Sequence, residues 1–78
     1  MNMRYEVLKF ENIRNLRIDR GYTQREIAEY LHIKQNTYSQ YENGQRQLPI
    51  SILISLAKYY KTSTDYILGL TDNPNPYD

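Results

Sequence analysis

Between Thr23 and Gly44 the chain reads TQREIAEYLHIKQNTYSQYENG, two short helical patterns with only His32, Ile33 and Lys34 between them. In the first, Thr23 is a good N-cap, Glu26 completes a capping box three residues on, and Ile27, Ala28 and Leu31 make an apolar stripe. A helix over 24–31 follows. In the second, a helix over about 35–43 carries Tyr38 and Tyr41 and is ended by Gly44. Two short helices joined by a three-residue turn is the feature around which everything else must be arranged.

The flanks read as helices too. Phe10, Ile13 and Leu16 recur at helical spacing with Arg17 beside them, and Gly21 after Arg20 supplies a stop, which predicts a first helix near 10–20. Residues 1–9 form an arm or extend that helix; the pattern leaves both open. Pro49 fits the first turn of a fourth helix on Ile50, Leu53, Leu56, Ala57 and Tyr60. Ser63 and Asp65 open a fifth, with Tyr66, Ile67 and Leu68 inside it and Gly69 as its cap. The closing NPNPYD can neither pair nor continue a helix, so residues 71–78 are expected to be a flexible tail. The fold class is all-α, a compact five-helix bundle.

Seventy-eight residues make one domain, because a chain this short buries only about 60 to 65% of its unfolded surface. There is no cysteine and no metal-ligand cluster, so packing must carry stability, and most of the nine tyrosines are expected to be structural. One histidine and no carboxylate pair leave nothing from which to build a nucleophile-base pair; an enzyme is not expected, nor a cofactor, metal or small-molecule ligand. No run approaches the roughly 20 apolar residues of a membrane span, and MNMRYEVLKF is charged where a signal peptide is apolar, which places the chain in the cytoplasm. Net charge is +1, so any nucleic-acid function must rest on local placement.

Local placement is visible on the third helix. At about 100° per residue, Gln35, Asn36, Ser39, Gln40 and Asn43 fall within an arc of roughly 140°, opposite Thr37, Tyr38, Tyr41 and Glu42. The tyrosines can pack on the preceding helix, which leaves amides and a hydroxyl outward. Solvated helix faces are more often built from Glu and Lys. A carboxamide can instead accept from N6 and donate to N7 of adenine at once in the major groove, which admits one α-helix. A merely wet polar face remains the competing reading at this point.

The string LRIDRGYTQREIAEYLHIKQNTYSQYENGQRQLP, followed by ISLAKYYKTSTDYILGL, closely resembles the phage-repressor-like, Cro-type helix-turn-helix domains, also called the XRE family. The resemblance covers about residues 10–70 and rests on Thr23-Gln24, Tyr41-Glu42-Asn43-Gly44, Leu56-Ala57 and Asp65-Tyr66-Ile67-Leu68-Gly69. It implies a lambda-repressor-like DNA-binding domain over 10–70, with its helix-turn-helix at the second and third helices and the third in the major groove. It also implies roles. Gln35, Asn36 and Gln40 match base-reading positions; Gln24 resembles a phosphate-contacting glutamine at a helix start. Lys34, Thr37 and Ser39 stand where phosphate or base contacts vary, with Ser39 placed among the base readers and Thr37 last, since the wheel turns it inward. Asn43 and Arg46 match backbone contacts beyond the helix. Arg17 and Glu42 match a structural pair tying the first helix to the third.

Three departures qualify the match. His32 stands where many relatives have a turn glycine in a left-handed backbone. Pro49 lies one position later than is common. Near the third helix the only cations are Lys34 and Arg46, although Arg14, Arg17, Arg20 and Arg25 are candidates to contribute. The expected function is a repressor of prokaryotic or phage type that binds double-stranded DNA at an inverted repeat as a homodimer, the dimer meeting through Tyr66, Ile67 and Leu70 and the end of the third helix. The alternative is a protein-interaction module, such as an antitoxin or adaptor with the same fold.

Overall fold

Apolar residues at helical spacing, each run closed by a cap or a left-handed residue, divide residues 6–76 of the computed structural model into five helices. Residues 1–5 of the expected arm or helix extension and 77–78 of the expected tail lie outside the described residues, and residues 6–9 are not helical, since the first helix begins at Glu11. The first helix, α1 (Glu11–Asp19), buries Ile13 and Leu16 and stops at Gly21, whose φ of 73° only glycine adopts freely. The second, α2 (Gln24–Leu31), opens on a complete capping box: Thr23 Oγ1 accepts from Glu26 N at 3.1 Å, and Thr23 N donates to Glu26 Oε1 at 3.0 Å.

His32 then turns the chain in the left-handed region at φ 57°, with Ile33 N donating to Ala28 O at 3.0 Å. This lets α3 (Gln35–Glu42) start after three residues. Asn43, expected inside α3, is instead its C-cap, and Gly44 follows at φ 74°. The fourth helix, α4 (Ile50–Tyr60), begins one residue after Pro49, which is the N-cap rather than a first-turn residue. It ends at Lys61, a second non-glycine residue in the left-handed region at φ 54°. Ser63 Oγ accepts from Tyr66 N at 3.0 Å and opens α5 (Thr64–Ile67), only four residues long; a turn over Leu68 and Gly69 takes up the rest of its expected span.

The core gathers Ile13, Leu16, Ile27, Ala28, Tyr38, Tyr41, Leu56, Ala57, Tyr60 and Ile67, with Leu48 added from the loop before α4. Complete burial of side chains such as Ile27 and Leu56 contributes about 1.5–3 kcal/mol each. In this arrangement α2 packs on α3, α1 on α3 and α5, and α4 on α5. Tyrosines fill the corner between the α1–α2 turn and α4: Tyr59 lies 5.5 Å from Tyr22 and 4.1 Å from Tyr30 between ring centres, and the Arg20 guanidinium sits over Tyr60 at 5.7 Å. Ile67 is 1% exposed and belongs to this core, so it cannot face a second copy as expected; a four-residue helix has one buried side, and Ile67 is on it. Leu70, at 72%, does face outward. Beyond α5, Thr62 Oγ1 donates to Pro74 O, which ties residues 71–76 back to the end of α4.

Candidate nucleic-acid interface

α3 is split by burial along the line its sequence draws. Tyr38, Tyr41 and Glu42 are buried at 0, 8 and 1% exposure, while Gln35, Asn36 and Asn43 are exposed and Ser39, Gln40 and Thr37 are partly buried. Tyrosines that bury large rings against α2 therefore fix the rotation of α3 about its axis. Gln35, Asn36 and Ser39 share a hollow of about 420 Å³ with Gln24, the first residue of α2. Lys34 is exposed as the N-cap of α3. At the other end the chain folds back, with Gln45 N and Arg46 N both donating to Gln40 O at 2.8 and 3.2 Å, which returns Arg46 to the end of the helix.

Beneath this face lies an ion pair. Arg17 Nε donates to Glu42 Oε2 at 2.9 Å, Arg17 Nη2 to Glu42 Oε1 at 2.8 Å, and Arg17 Nη1 to Tyr22 O at 2.9 Å. Gln24 Nε2 donates to the same Oε1 at 3.3 Å. Burial alone would raise the Glu42 carboxyl pKa, but the donors from Arg17, the nearby Tyr38 hydroxyl and Gln24 outweigh it and hold the group below the usual carboxylate range. Hydrogen bonding to Glu42 in turn raises Arg17 further. The Tyr38 hydroxyl points toward Glu42 without the geometry of a full hydrogen bond, and burial first, then that carboxylate, push its pKa up.

The Gln24–Glu42 contact was not legible from the sequence. Thr23-Gln24 points to a residue at a helix start with an outward task, and nothing in its spacing from Glu42 indicates that the amide reaches the core carboxylate. Gln24 is thus at once part of the α2–α3 joint and part of the open hollow. Of the cations considered for this side, Arg17 is committed to Glu42, Arg20 Nη2 donates to Tyr60 O at 3.1 Å, and Arg25 Nε meets Glu29 Oε1 at 3.3 Å. Lys34 is the N-cap of α3, and Arg46 N donates back to Gln40 O near its other end. Among the described residues there is no group of three or more His, Cys, Asp or Glu able to hold a metal ion, and no helix long and apolar enough to cross a membrane.

A short capped helix, a left-handed turn and a second helix clamped by its tyrosines with amides outward can be compared with known proteins. The helix-turn-helix family model HTH_3 matches residues 13–67. Two relatives come from Bacillus subtilis (strain 168). The uncharacterized HTH-type transcriptional regulator YobD is 39% identical over 66 residues, 85% of this chain and 59% of that protein. The HTH-type transcriptional regulator ImmR is 41% identical over 59 residues, 76% of this chain and 46% of that protein. The chain thus spans about half the length of the curated relatives it matches. A crystal structure of a transcriptional regulator from Listeria innocua superposes with a TM-score of 0.74 at 29% identity, covering 88% of this chain and 64% of that one. With most of its length matched by the family model and by these relatives, the chain belongs to the helix-turn-helix family of the phage-repressor-like Cro type.

Proposed function

We propose that the chain is a sequence-specific DNA-binding transcriptional regulator of the cytoplasm, a repressor that seats α3 in the major groove of an inverted-repeat operator as a homodimer. One observation carries this reading: four uncharged hydrogen-bonding side chains, Gln35, Asn36, Ser39 and Gln40, share the open side of a helix whose opposite side is locked into the core. Amides on a rigid helix suit the edge of adenine, so Gln35, Asn36 and Gln40 read bases, with Ser39 beside them. Gln24, Lys34, Asn43 and Arg46 contact the backbone, and Thr37 contributes least because it lies on the side of the helix that carries the buried Tyr38 and Tyr41. Residues 10–70 form the DNA-binding unit.

Few cations flank the face, so one copy binds weakly. Two copies with half-sites about 34 Å apart place two helices in successive grooves and recover affinity through linkage. The names of YobD and ImmR as transcriptional regulators agree with this reading. Selection of bound sequences from a random duplex pool tests it. The expected product is an inverted repeat with adenine at defined half-site positions; no enrichment at low salt and high protein concentration would sink the proposal.

A further inference from the structure

Resting on that DNA-binding reading, we propose that Lys9 is a further contact to the DNA backbone, a cation that joins Asn43 and Arg46 at the C-terminal end of α3. Lys9 lies in the stretch expected to be an arm or an extension of the first helix, and nothing in its local sequence ties it to the third helix. In the fold it is pressed against that helix's end. A Cβ added at Gly44 would stand 2.8 Å from Lys9 Cβ and 3.3 Å from its Cγ, so the missing side chain of Gly44 is what lets the two segments meet.

Neighbouring residues hold Lys9 there from both sides. Leu8 N donates to Gln47 Oε1 at 3.4 Å, further along the same loop. Phe10 packs against the core, and its carbonyl accepts from Ile13 N at 3.1 Å as α1 begins. The start of the Lys9 side chain is therefore positioned beside Gly44, next to Asn43 and two residues from Arg46, where the proposal already requires phosphate contacts. Its ammonium is 3.2 Å from Glu11 Oε1, but with side chains 48 and 61% exposed this pair is weak and readily exchanged for a phosphate. A surface so short of positive charge gains in proportion from one more cation: each phosphate neutralised adds about 0.9 to the dependence of log affinity on log salt.

The test uses the duplex selected by the unaltered protein, anisotropy titrations across a potassium chloride series, and two variants of the whole chain. Lys9→Gln keeps the stem that lies on Gly44 and removes the charge. It should flatten the salt slope by about 0.9 for each protomer, about 1.8 for a dimer on its inverted repeat, and weaken binding roughly three- to tenfold per protomer for every sequence alike, with base preference and thermal midpoint unchanged. Glu11→Gln removes the competing anion and should tighten binding. A Lys9→Gln protein with the slope and affinity of the native chain overturns the assignment, as does a Glu11→Gln protein weakened to the same extent as Lys9→Gln. If the unaltered protein selects no duplex, it is the DNA-binding reading itself that fails.

Discussion

Arg17 and Glu42 meet as a two-pronged pair, with Nε–Oε2 at 2.9 Å and Nη2–Oε1 at 2.8 Å, and with the carboxylate side chain only 1% exposed against 13% for the guanidinium. The pair joins α1 to the last turn of α3, so it fixes the helix that carries the open amides. Removing one partner strands a charge in the core. Arg17→Ala should cost about 3–5 kcal/mol in urea unfolding, while the double change Arg17→Met with Glu42→Leu should return most of it. A loss below about 1 kcal/mol for the single change would mark the pair as no stronger than a surface one.

The same carboxylate sets an acid limit. Because the Glu42 pKa is lower in the fold than in the open chain, the unfolded state binds more protons at low pH. The stability it contributes is present above the unfolded value of about 4.3 and drains away as pH falls through the lower folded value. Tyr38 and Tyr60 set the opposite limit: burial raises both hydroxyl pKa values, so stability is lost as pH rises past the ordinary tyrosine value of about 10. Unfolding free energies from pH 2 to 11 should trace both limbs, with the acid limb shallower in Glu42→Gln. An acid limb of unchanged slope in that variant would assign it to other carboxylates.

His32 occupies the left-handed region at φ 57°, where a side chain costs roughly 1–2 kcal/mol that glycine avoids. Glycine also loses more freedom on folding, which takes back part of the gain. His32→Gly should therefore stabilise by about 0.5–1 kcal/mol, read as a higher urea midpoint at constant m-value. Lys61→Gly, at φ 54° after α4, should behave alike. A lower midpoint in both variants would contradict the strain argument.

On DNA the two glutamines of the hollow should part company. Gln35 is exposed and in the proposed function reads a base, so Gln35→Ala should relax preference at one or two base pairs, at about 1–3 kcal/mol. Gln24→Ala should weaken all sequences alike. It also removes the 3.3 Å bond to Glu42, so a small fall in unfolding stability should accompany it, which Gln35→Ala lacks. Competition binding against single-site variants of the operator, together with unfolding of the free proteins, separates the two effects.

What could be read in advance follows a physical boundary. Thr23, Glu26, Gly21 and Gly44 act on backbone within a few residues of themselves, and the start and stop signals they carry reappear in the fold to within a residue or so. The two faces of α3 were legible for the same reason, because tyrosines and amides separate at the helical period. Lys61 was not legible as a terminator: no glycine marks it, and the turn is imposed by Thr62 N bonding back to Ala57 O at 2.9 Å. Ile67 was misread as an outward residue because its helix is too short for a periodic pattern to show which side is buried. Gln24 on Glu42 and Lys9 on Gly44 join parts of the chain far apart in sequence, and such contacts exist only once α1, α2 and α3 have packed.

The scarcity of cations around α3 bears on how a regulator of this kind shares its time between sites. Sequence-independent binding is supplied almost wholly by phosphate neutralisation, and competing genomic sites outnumber the operator by roughly a millionfold or more. On the proposed function, a surface with few cations at its ends and amides between them would cling poorly to arbitrary DNA, so few molecules would be stored there. Discrimination then rests on hydrogen bonds that only the right bases complete. In the proposed function, operator occupancy would thus follow the copy number of the protein closely, and a small change in its synthesis or removal would be enough to switch the gene it controls.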